Sequence, residues 1–335
     1  MKKLICTPLA GFAGMVALVA VLAFAPQRLS AQSQTAQLSD KEIPVSEFNS
    51  LNVSDDFEVT LSRGPYGVRL TVDKDLAPYV EVYVKAKTLY LSYDEKAVPK
   101  ELKKLYRGRN GLNPVFRVVA YTPELRSVTL EDNATFIGVE EFVSPDFDLT
   151  AAGKSQVKNL SVSANSARIN LKKNARATLS VRSQRGVEVS TDNNANLKLT
   201  ATGNELTINS EGSSVVVASG PSQTLNVLSS GSSQVTVTSD TEKVNLTTEG
   251  SSKVVLSGKA VSMTVKGSRS STVDAYSMPI EDILADLAGS SSVTVSVSKT
   301  ADVTLVGGSA LYYSGSPQFV INKIVKSTLA PYGTR

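Results

Sequence analysis

Residues 205–219 read ELTINSEGSSVVVAS, and the same pattern returns at 224–238 as TLNVLSSGSSQVTVT and at 243–257 as KVNLTTEGSSKVVLS. The three stretches begin 19 residues apart, and each carries Gly-Ser-Ser between two runs of alternating apolar and polar residues. Alternation with a period of two is typical of a β-strand with one buried face. Each stretch therefore predicts two strands joined by a turn.

Six turn residues mark this repeat through the second half of the chain. They are Asn193, Gly212, Gly231, Gly250, Arg269 and Gly289, at spacings of 19, 19, 19, 19 and 20 residues. The positions six and four residues before and after each of them are hydrophobic in all 24 cases. A two-strand unit cannot bury its inner face alone, whereas stacked identical units bury it continuously. The predicted fold is therefore all-β: a parallel β-helix, or solenoid, with coils of 19–20 residues.

Looser copies of the turn extend the pattern in both directions. They lie at 132–135, 152–155, 173–176 and 307–310, which brings the prediction to about ten coils. Strands begin near Phe48, and one helical interruption is expected from Lys96 to Arg109, where a proline precedes leucines spaced by three. We expect a single solenoid domain over 44–326, followed by a tail at 327–335, and a right-handed coil because parallel crossovers favour that hand.

The first 31 residues have the features of a signal peptide. Lys2 and Lys3 precede an apolar run over 9–24, and small residues close the segment at Ala31. Cys6, the one cysteine, lies before the apolar run, which is the wrong place for a lipoprotein anchor. Residues 32–43 are expected to form a flexible leader. The predicted location is the periplasm or the outer cell surface, with no transmembrane segment after cleavage.

Four segments resemble a known family. The stretch VTLVGGSALYYSGSP at 303–317 resembles the closing motif of the auto-transporter adhesin head GIN domain family. FNSLNV at 48–53 and FEVTL at 57–61 resemble its opening, and 73–76 resembles its next segment, so that the resemblance spans about 44–320. The resemblance implies an exported β-helical protein of a kind that is common in Bacteroidetes and is described as an adhesin. It implies no catalytic residues.

The composition excludes several kinds of chemistry. The 335 residues contain no histidine and no tryptophan, and cleavage after Ala31 would leave no cysteine. Histidine-based triads, histidine metal sites and cysteine nucleophiles are therefore excluded. Cleavage would also lower the net charge from +4 to +1, which gives no reason to expect nucleic acid as a partner. No cofactor is predicted, and carboxylate, lysine, arginine and tyrosine chemistry remains.

Three acidic pairs are candidates for that chemistry. Asp55 and Asp56 fit a turn, and Glu140 and Glu141 are adjacent, so a strand would point them to opposite sides. Asp146 and Asp148 would share one face around Phe147, where they are either a solvated surface or a pair that holds a cation or acts on a sugar. No catalytic, metal or binding residue is assigned from these patterns.

Two functions stay open. The favoured one is a non-enzymatic, adhesin-like protein that binds a glycan or a cell-surface protein through a sheet face. The alternative is a polysaccharide lyase or hydrolase, which should gather at least three charged residues around one groove. The candidates are Asp146, Asp148, Lys158, Arg168 and Arg182.

Three further features have structural interpretations. The paired serines of the turns should form hydroxyl rows that stabilise the stack, Tyr312 and Tyr313 should pack at its end, and Gln318–Lys326 should cap it. Open solenoid ends also allow self-association, because unpaired strand edges pair readily.

Overall fold

Two stacks of parallel strands enclose one apolar core. The structure is a computed structural model, and it describes residues 37–107 and 111–333. The structure is 66% strand and 4% helix, with about 11 solenoid turns. The predicted all-β solenoid is therefore confirmed, and its coil number is close to the predicted ten. The right-handed sense stays a prediction. The predicted signal peptide lies outside the described residues.

The strands are numbered in chain order. They are β1 Leu38–Ile43, β2 Ser50–Val53, β3 Glu58–Ser62, β4 Gly67–Asp73, β5 Val80–Lys85, β6 Thr88–Tyr93, β7 Phe116–Tyr121, β8 Ser127–Leu130, β9 Thr135–Gly138, β10 Glu141–Ala151, β11 Gln156–Leu171, β12 Arg176–Thr191, β13 Asn196–Ser210, β14 Val215–Ser219, β15 Ser222–Ser229, β16 Gln234–Asp240, β17 Lys243–Thr248, β18 Lys253–Lys259, β19 Ser262–Gly267, β20 Thr272–Leu287, β21 Ser292–Val306, β22 Ala310–Ser314, β23 Gln318–Val325 and β24 Thr328–Pro331. The helix α1 spans Lys100–Arg107, inside the predicted interruption, and 3-10 turns lie at Ala77–Tyr79 and Glu95–Ala97.

Each coil contributes one strand segment to each of two sheets. The first sheet runs β5, β6, β2, β8 and then through β10–β13 to β15, β17, β19, β20, β21 and β23. The second sheet begins β1, β4, β7, β3, β9 and ends β21, β22, β24. Long strands such as β11 bend from one sheet into the other. All 24 predicted core positions are buried, none being more than 3% exposed.

The turns between the two sheets have left-handed backbone conformations. Positive φ angles occur at Asp55, Asp132, Gly153, Lys173, Asn193, Gly212, Gly231, Gly250, Arg269, Gly289, Gly307 and Lys326. Successive turns stack so closely that a Cβ at Gly212 would lie 2.8 Å from the Cα of Asn193. Six of the twelve positions are not glycine and therefore carry a conformational cost of about 1–2 kcal/mol each.

Arg269→Gly should raise the free energy of unfolding by about 1 kcal/mol, because glycine adopts this left-handed φ of 63° without steric cost. The lost Arg269–Glu249 ion pair is solvent-exposed and contributes little. Urea denaturation of wild type and variant measures the change. Gly231→Ala is the matched opposite change and should lower stability. A lower denaturation midpoint for Arg269→Gly would contradict this account of the turns.

The turn serines divide into an exposed and a buried row. The second serine of each pair is buried, as at Ser214, Ser233 and Ser252. The Ser233 hydroxyl lies 2.8 Å from that of Ser229 and donates to the Ser210 carbonyl one coil earlier, at 3.1 Å. The buried row therefore makes the hydrogen bonds that a stabilising role requires, and the stabilisation itself stays a prediction.

Ser233→Ala should destabilise the protein by about 1–3 kcal/mol, because it leaves the buried Ser229 hydroxyl without the hydrogen bond that it shares with Ser233. Ser232→Ala, at the exposed neighbour, removes the same atom and should change stability by less than about 0.5 kcal/mol. Thermal or urea unfolding of both variants measures the difference. Equal effects of the two substitutions would refute a structural role for the buried row.

The two ends of the stack differ. At the amino end, β4 runs antiparallel to β1 and β7, β5 and β6 form a hairpin, and Leu102 of α1 packs against the core. The expected flexible leader over 32–43 therefore contains an ordered strand at Leu38–Ile43. At the other end, the expected tail over 327–335 contains β24. Gln318–Val325 forms the last strand of the first sheet rather than a cap, as its exposed apolar side chains show.

Candidate binding grooves

The paired aspartates lie on the first sheet as the alternation predicts. Asp146 and Asp148 are exposed, while Phe147 between them is 1% exposed and belongs to the core. The next coil places Ser166 opposite Asp146 and Arg168 opposite Asp148. Together with residues of two further coils, these side chains line an open groove of about 590 Å³, which we call the charged groove.

Three charges of this groove pair along the coil axis. Arg168 Nη1 lies 3.3 Å from Asp148 Oδ1, and its Nε lies 3.2 Å from Glu188 Oε2 in the following coil. The hydrogen bond to Glu188 and the charge of Asp148 raise the pKa of Arg168 above its ordinary value. Ser166 Oγ also donates to Asp146 Oδ1 at 2.5 Å. These residues therefore form a solvent-exposed ladder within the groove, which Arg185 and Glu205 also line.

Three of the five charged residues named for the enzyme hypothesis line this groove. They are Asp146, Asp148 and Arg168, so the number that the hypothesis requires is reached. Lys158 and Arg182 lie on the second sheet, where Lys158 is opposite Ile137 and Arg182 pairs with Glu141. The side chains of Arg168, Asp148 and Glu188 are 58, 55 and 51% exposed, so no apolar pocket encloses their ion pairs.

The other acidic candidates have structural partners. Asp55 Oδ2 accepts from the backbone N–H of Tyr93 at 3.0 Å, and Asp55 itself has a positive φ, as the turn interpretation requires. Glu140 accepts from the Arg63 N–H at 3.1 Å, whereas Glu141 pairs with Arg182, so the adjacent glutamates are separated. Among the described residues, no cluster of three or more metal-ligating side chains is present.

One of the two adjacent tyrosines near the carboxyl end, Tyr313, packs as expected. The Tyr313 ring meets Phe319 edge-on, with ring centres 4.8 Å apart, and packs against the core. Tyr313 therefore belongs to the packing at this end of the stack.

A second groove lies at the amino end, between β1, β4 and β7. It has a volume of about 620 Å³ and a largely apolar lining. Its walls include Tyr66 and Tyr121, with Pro44 and Pro65 beside them. Tyr66 is 38% exposed and Tyr121 is 40% exposed. We call this the tyrosine groove.

The Tyr121 ring lies against two glycines. A Cβ at Gly64 would lie 3.5 Å from Tyr121 Cδ1, and a Cβ at Gly67 would lie 3.7 Å from Cδ2. Because these residues carry no side chains, the ring packs directly against the turn between β3 and β4. Gly67 is also opposite Tyr121 in the antiparallel pairing of β4 and β7. The fold therefore places the ring beside this turn and leaves it 40% exposed.

Charged side chains lie at the rim of the tyrosine groove. Arg69 Nη2 lies 2.8 Å from Glu42 Oε1, and both side chains are largely exposed. This hydrogen bond, together with the charge of Glu42, raises the pKa of Arg69 above its ordinary value. The groove therefore combines aromatic and proline surface with a fixed donor and acceptor pair.

Sequence reasoning did not find this groove. Tyr66 and Tyr121 are 55 positions apart and belong to no repeat, and β1 lies in the segment expected to be a leader. The signal that could have indicated a site is Gly64-Pro65-Tyr66-Gly67, in which two glycines and a proline hold a tyrosine in a turn.

The coils and the two stacked sheets together define an elongated β-solenoid domain. The chain belongs to the family described as "Putative auto-transporter adhesin, head GIN domain", whose model matches residues 47–222 and 173–317. The earlier resemblance to this family is thereby confirmed. No curated protein matches the sequence. Among the described residues, no helix is long and apolar enough to cross a membrane.

Several solved structures are similar to this chain, among them two from Parabacteroides species. One is titled a putative lipid binding protein from Parabacteroides distasonis, at 15% identity and TM-score 0.33, with 88% of this chain and 96% of that chain covered. Another is a putative adhesin from Parabacteroides merdae, at 19% identity and TM-score 0.32, with 88% and 96% covered. A putative cell adhesion protein from Clostridium sporogenes has 10% identity and TM-score 0.21, with 78% and 100% covered.

Proposed function

We propose that this protein is an exported, non-enzymatic adhesin that binds a glycan in the tyrosine groove, at the outer cell surface or in the periplasm. The observation that carries the proposal is the Tyr121 ring, which packs beside Gly64 and Gly67 and is still 40% exposed. The family description supports an adhesive role. The signal-peptide pattern of the first 31 residues supports export.

The chemistry of the groove suits a saccharide. A pyranose ring has apolar C–H faces and hydroxyl edges, so it requires both aromatic surface and hydrogen-bonding groups. Tyr66 and Tyr121 supply large rings that lose little conformational entropy on binding, because tyrosine has only two side-chain torsions. The Arg69 guanidinium and the Glu42 carboxylate can donate to and accept from hydroxyl groups at the rim. A few polar groups around an apolar surface are usual for ligand sites.

Tyr121→Ala should weaken binding of the recognised glycan at least about 10-fold, which corresponds to roughly 1.4 kcal/mol of binding free energy. Purified chain starting at Gln32 is first screened on a glycan array, and the affinity for the best ligand is then measured by calorimetry. Tyr121→Phe keeps the ring and should bind nearly normally. Tyr83→Ala removes an exposed tyrosine that stacks on Tyr90 outside the groove, and should have no effect. Unchanged affinity of Tyr121→Ala would remove the groove from the proposal.

A polysaccharide-active enzyme is the second candidate, and the charged groove is the observation that favours it. Successive same-face residues of a strand are separated by ~6.8 Å, so Asp146 and Asp148 have a spacing close to that of an inverting carboxylate pair, roughly 6.5–9.5 Å. A general acid nevertheless needs a pKa raised by burial. The exposed, already paired groups of this groove do not offer that environment.

The same glycan panel, assayed for reducing and unsaturated ends, separates the two candidates. We expect binding without product release. Product release that disappears in Asp146→Asn and Asp148→Asn, but persists in Tyr121→Ala, would overturn the non-enzymatic proposal. Heat-treated protein is the control for spontaneous release.

A further inference from the structure

A third cavity lies beside the helix α1 at the amino end of the stack. Its volume is about 230 Å³, and we call it the helix pocket. The lining comes from the turn before β3, from the 3-10 turns on either side of the β5–β6 hairpin, from α1 and from the start of β7. Among the described residues, the helix pocket shares no lining residue with the tyrosine groove or the charged groove.

The wall of the helix pocket is aromatic and apolar. Three rings line it, those of Tyr93, Tyr106 and Phe116. The ring centres of Tyr93 and Phe116 are 4.8 Å apart, and the ring planes are tilted by 49° to each other. Leu76, which is 1% exposed, and Leu102 of α1 add aliphatic surface. Aromatic ring faces carry a negative electrostatic potential and therefore attract cations.

The rim of the helix pocket is acidic. Its carboxylates are those of Asp55, Asp56 and Glu95. Lys103 is the one basic residue among the described residues of the lining. The hydrogen bonds of both aspartates come from neutral donors: Asp56 Oδ1 accepts from Asn133 Nδ2 at 2.8 Å, and Asp55 Oδ2 accepts from a backbone N–H. Neutral donors leave the charge of the rim negative.

Two further carboxylates act on the same side of α1. Asp73 is 0% exposed, and its Oδ2 accepts from the Val115 N–H at 2.8 Å. Asp73 Oδ1 has no hydrogen-bond partner among the described residues. Burial, followed by the charges of Asp73 and Asp75, raises the pKa of Tyr106 to about 12. The field that disfavours a negative charge on Tyr106 favours a positive charge beside its ring.

We infer that the helix pocket binds a small organic cation, an ammonium group carried on methyl or methylene groups. The ammonium group lies against the rings of Tyr93 and Tyr106 and faces the acidic rim, while the carbon atoms pack against Leu102. The rim repels an anion and gives no advantage to a neutral molecule. Drug-sized ligands usually occupy pockets of roughly 300–1,000 Å³, so this smaller cavity selects a small ligand.

The chemistry of the wall favours an organic cation over a metal ion. Calcium and magnesium need several oxygen ligands that converge on one point. Among the described residues, no group of three or more metal-ligating side chains is present. Ring faces instead attract alkylated ammonium ions, which are weakly hydrated and bring apolar surface of their own.

Choline is the probe for this pocket, and 3,3-dimethyl-1-butanol, in which carbon replaces the nitrogen, is its neutral counterpart. Calorimetry on the chain starting at Gln32 measures both affinities. We expect choline to bind at least about 10-fold more tightly, because the two molecules differ in charge and hardly in shape. Equal affinities, or no choline binding up to about 10 mM, overturn the inference.

Matched variants locate the ligand. Tyr106→Leu removes a ring and should weaken choline binding at least about 5-fold, whereas Tyr106→Phe keeps the ring and should bind nearly normally. Asp56→Asn, at an exposed position, should also weaken binding. Asp148→Asn makes the same change in the charged groove and should have no effect. Circular dichroism checks that each variant keeps its fold. Binding that is lost in Asp148→Asn, but unchanged in Tyr106→Leu and Asp56→Asn, would overturn the assignment to the helix pocket.

The lysine of the lining gives a test in the opposite direction. Lys103→Gln removes a like charge from the pocket and should tighten choline binding about 2-fold or more at low salt. Lys100→Gln is the matched control, because Lys100 is exposed on the same helix and does not line the pocket. Unchanged or weaker binding by Lys103→Gln would contradict the role given to the charge of the rim.

The ammonium group can belong to a free molecule or to a lipid headgroup. Cosedimentation with phosphatidylcholine vesicles separates these two sources. Cosedimentation that free choline reverses identifies the headgroup, whereas choline binding without cosedimentation identifies a soluble cation. The inference does not depend on the proposed function, since Tyr121 lies outside the helix pocket. Tyr121→Ala should therefore bind choline like the wild type.

Discussion

A coil of this solenoid buries its inner face only because another coil lies directly above and below it. That requirement fixes the length of the repeat, the alternation within each strand and the shape of the turns. At the bends between sheets, the coils approach so closely that a Cβ at Gly220 or Gly258 would lie 2.0 or 2.1 Å from a carbonyl oxygen of the preceding coil. Small differences in length between coils are absorbed inside the stack as register shifts, as between Ala275 and Pro279. The longest insertion, between Asp55 and Asp132, builds the amino end.

Stacking also restricts the charges on the outer faces. Residues in register on adjacent coils are ~4.8 Å apart, where two like charges repel by about 1 kcal/mol even in water. The column through the charged groove meets this restriction by alternating sign through Asp148, Arg168 and Glu188, and then continues with neutral Thr207 and Asn226. The pairing that makes this groove look like a catalytic site is therefore what the stack requires of any charged column. No such requirement explains Tyr66 and Tyr121, which belong to no column of the repeat.

The sequence was sufficient to predict the fold wherever the structure repeats, and insufficient where it does not. The positions around Gly231 are buried as predicted, because each coil repeats the same local rule and the period of two identifies the inner face. β1 and the tyrosine groove were not predicted, because they depend on antiparallel pairing between segments far apart in the chain. The exposure of β23 was not predicted for a different reason. Phe319 and Ile321 alternate like any inner positions, and nothing in that pattern tells whether another coil lies above them.

The two ends of the stack finish the repeat in different ways. At the amino end, the antiparallel strands around Tyr121 depart from the repeat and form a groove with a largely apolar lining. The same departure covers the first sheet, since β5 takes the place of a further coil beside β6, where Leu89 is fully buried. At the other end, β23 continues the parallel pairing and leaves Ile321 56% exposed. The charged groove shows that regular coils also form a concave surface, but there the columns bring opposite charges together. An apolar groove therefore forms where the chain leaves the repeat, and a charged groove forms where the chain keeps it.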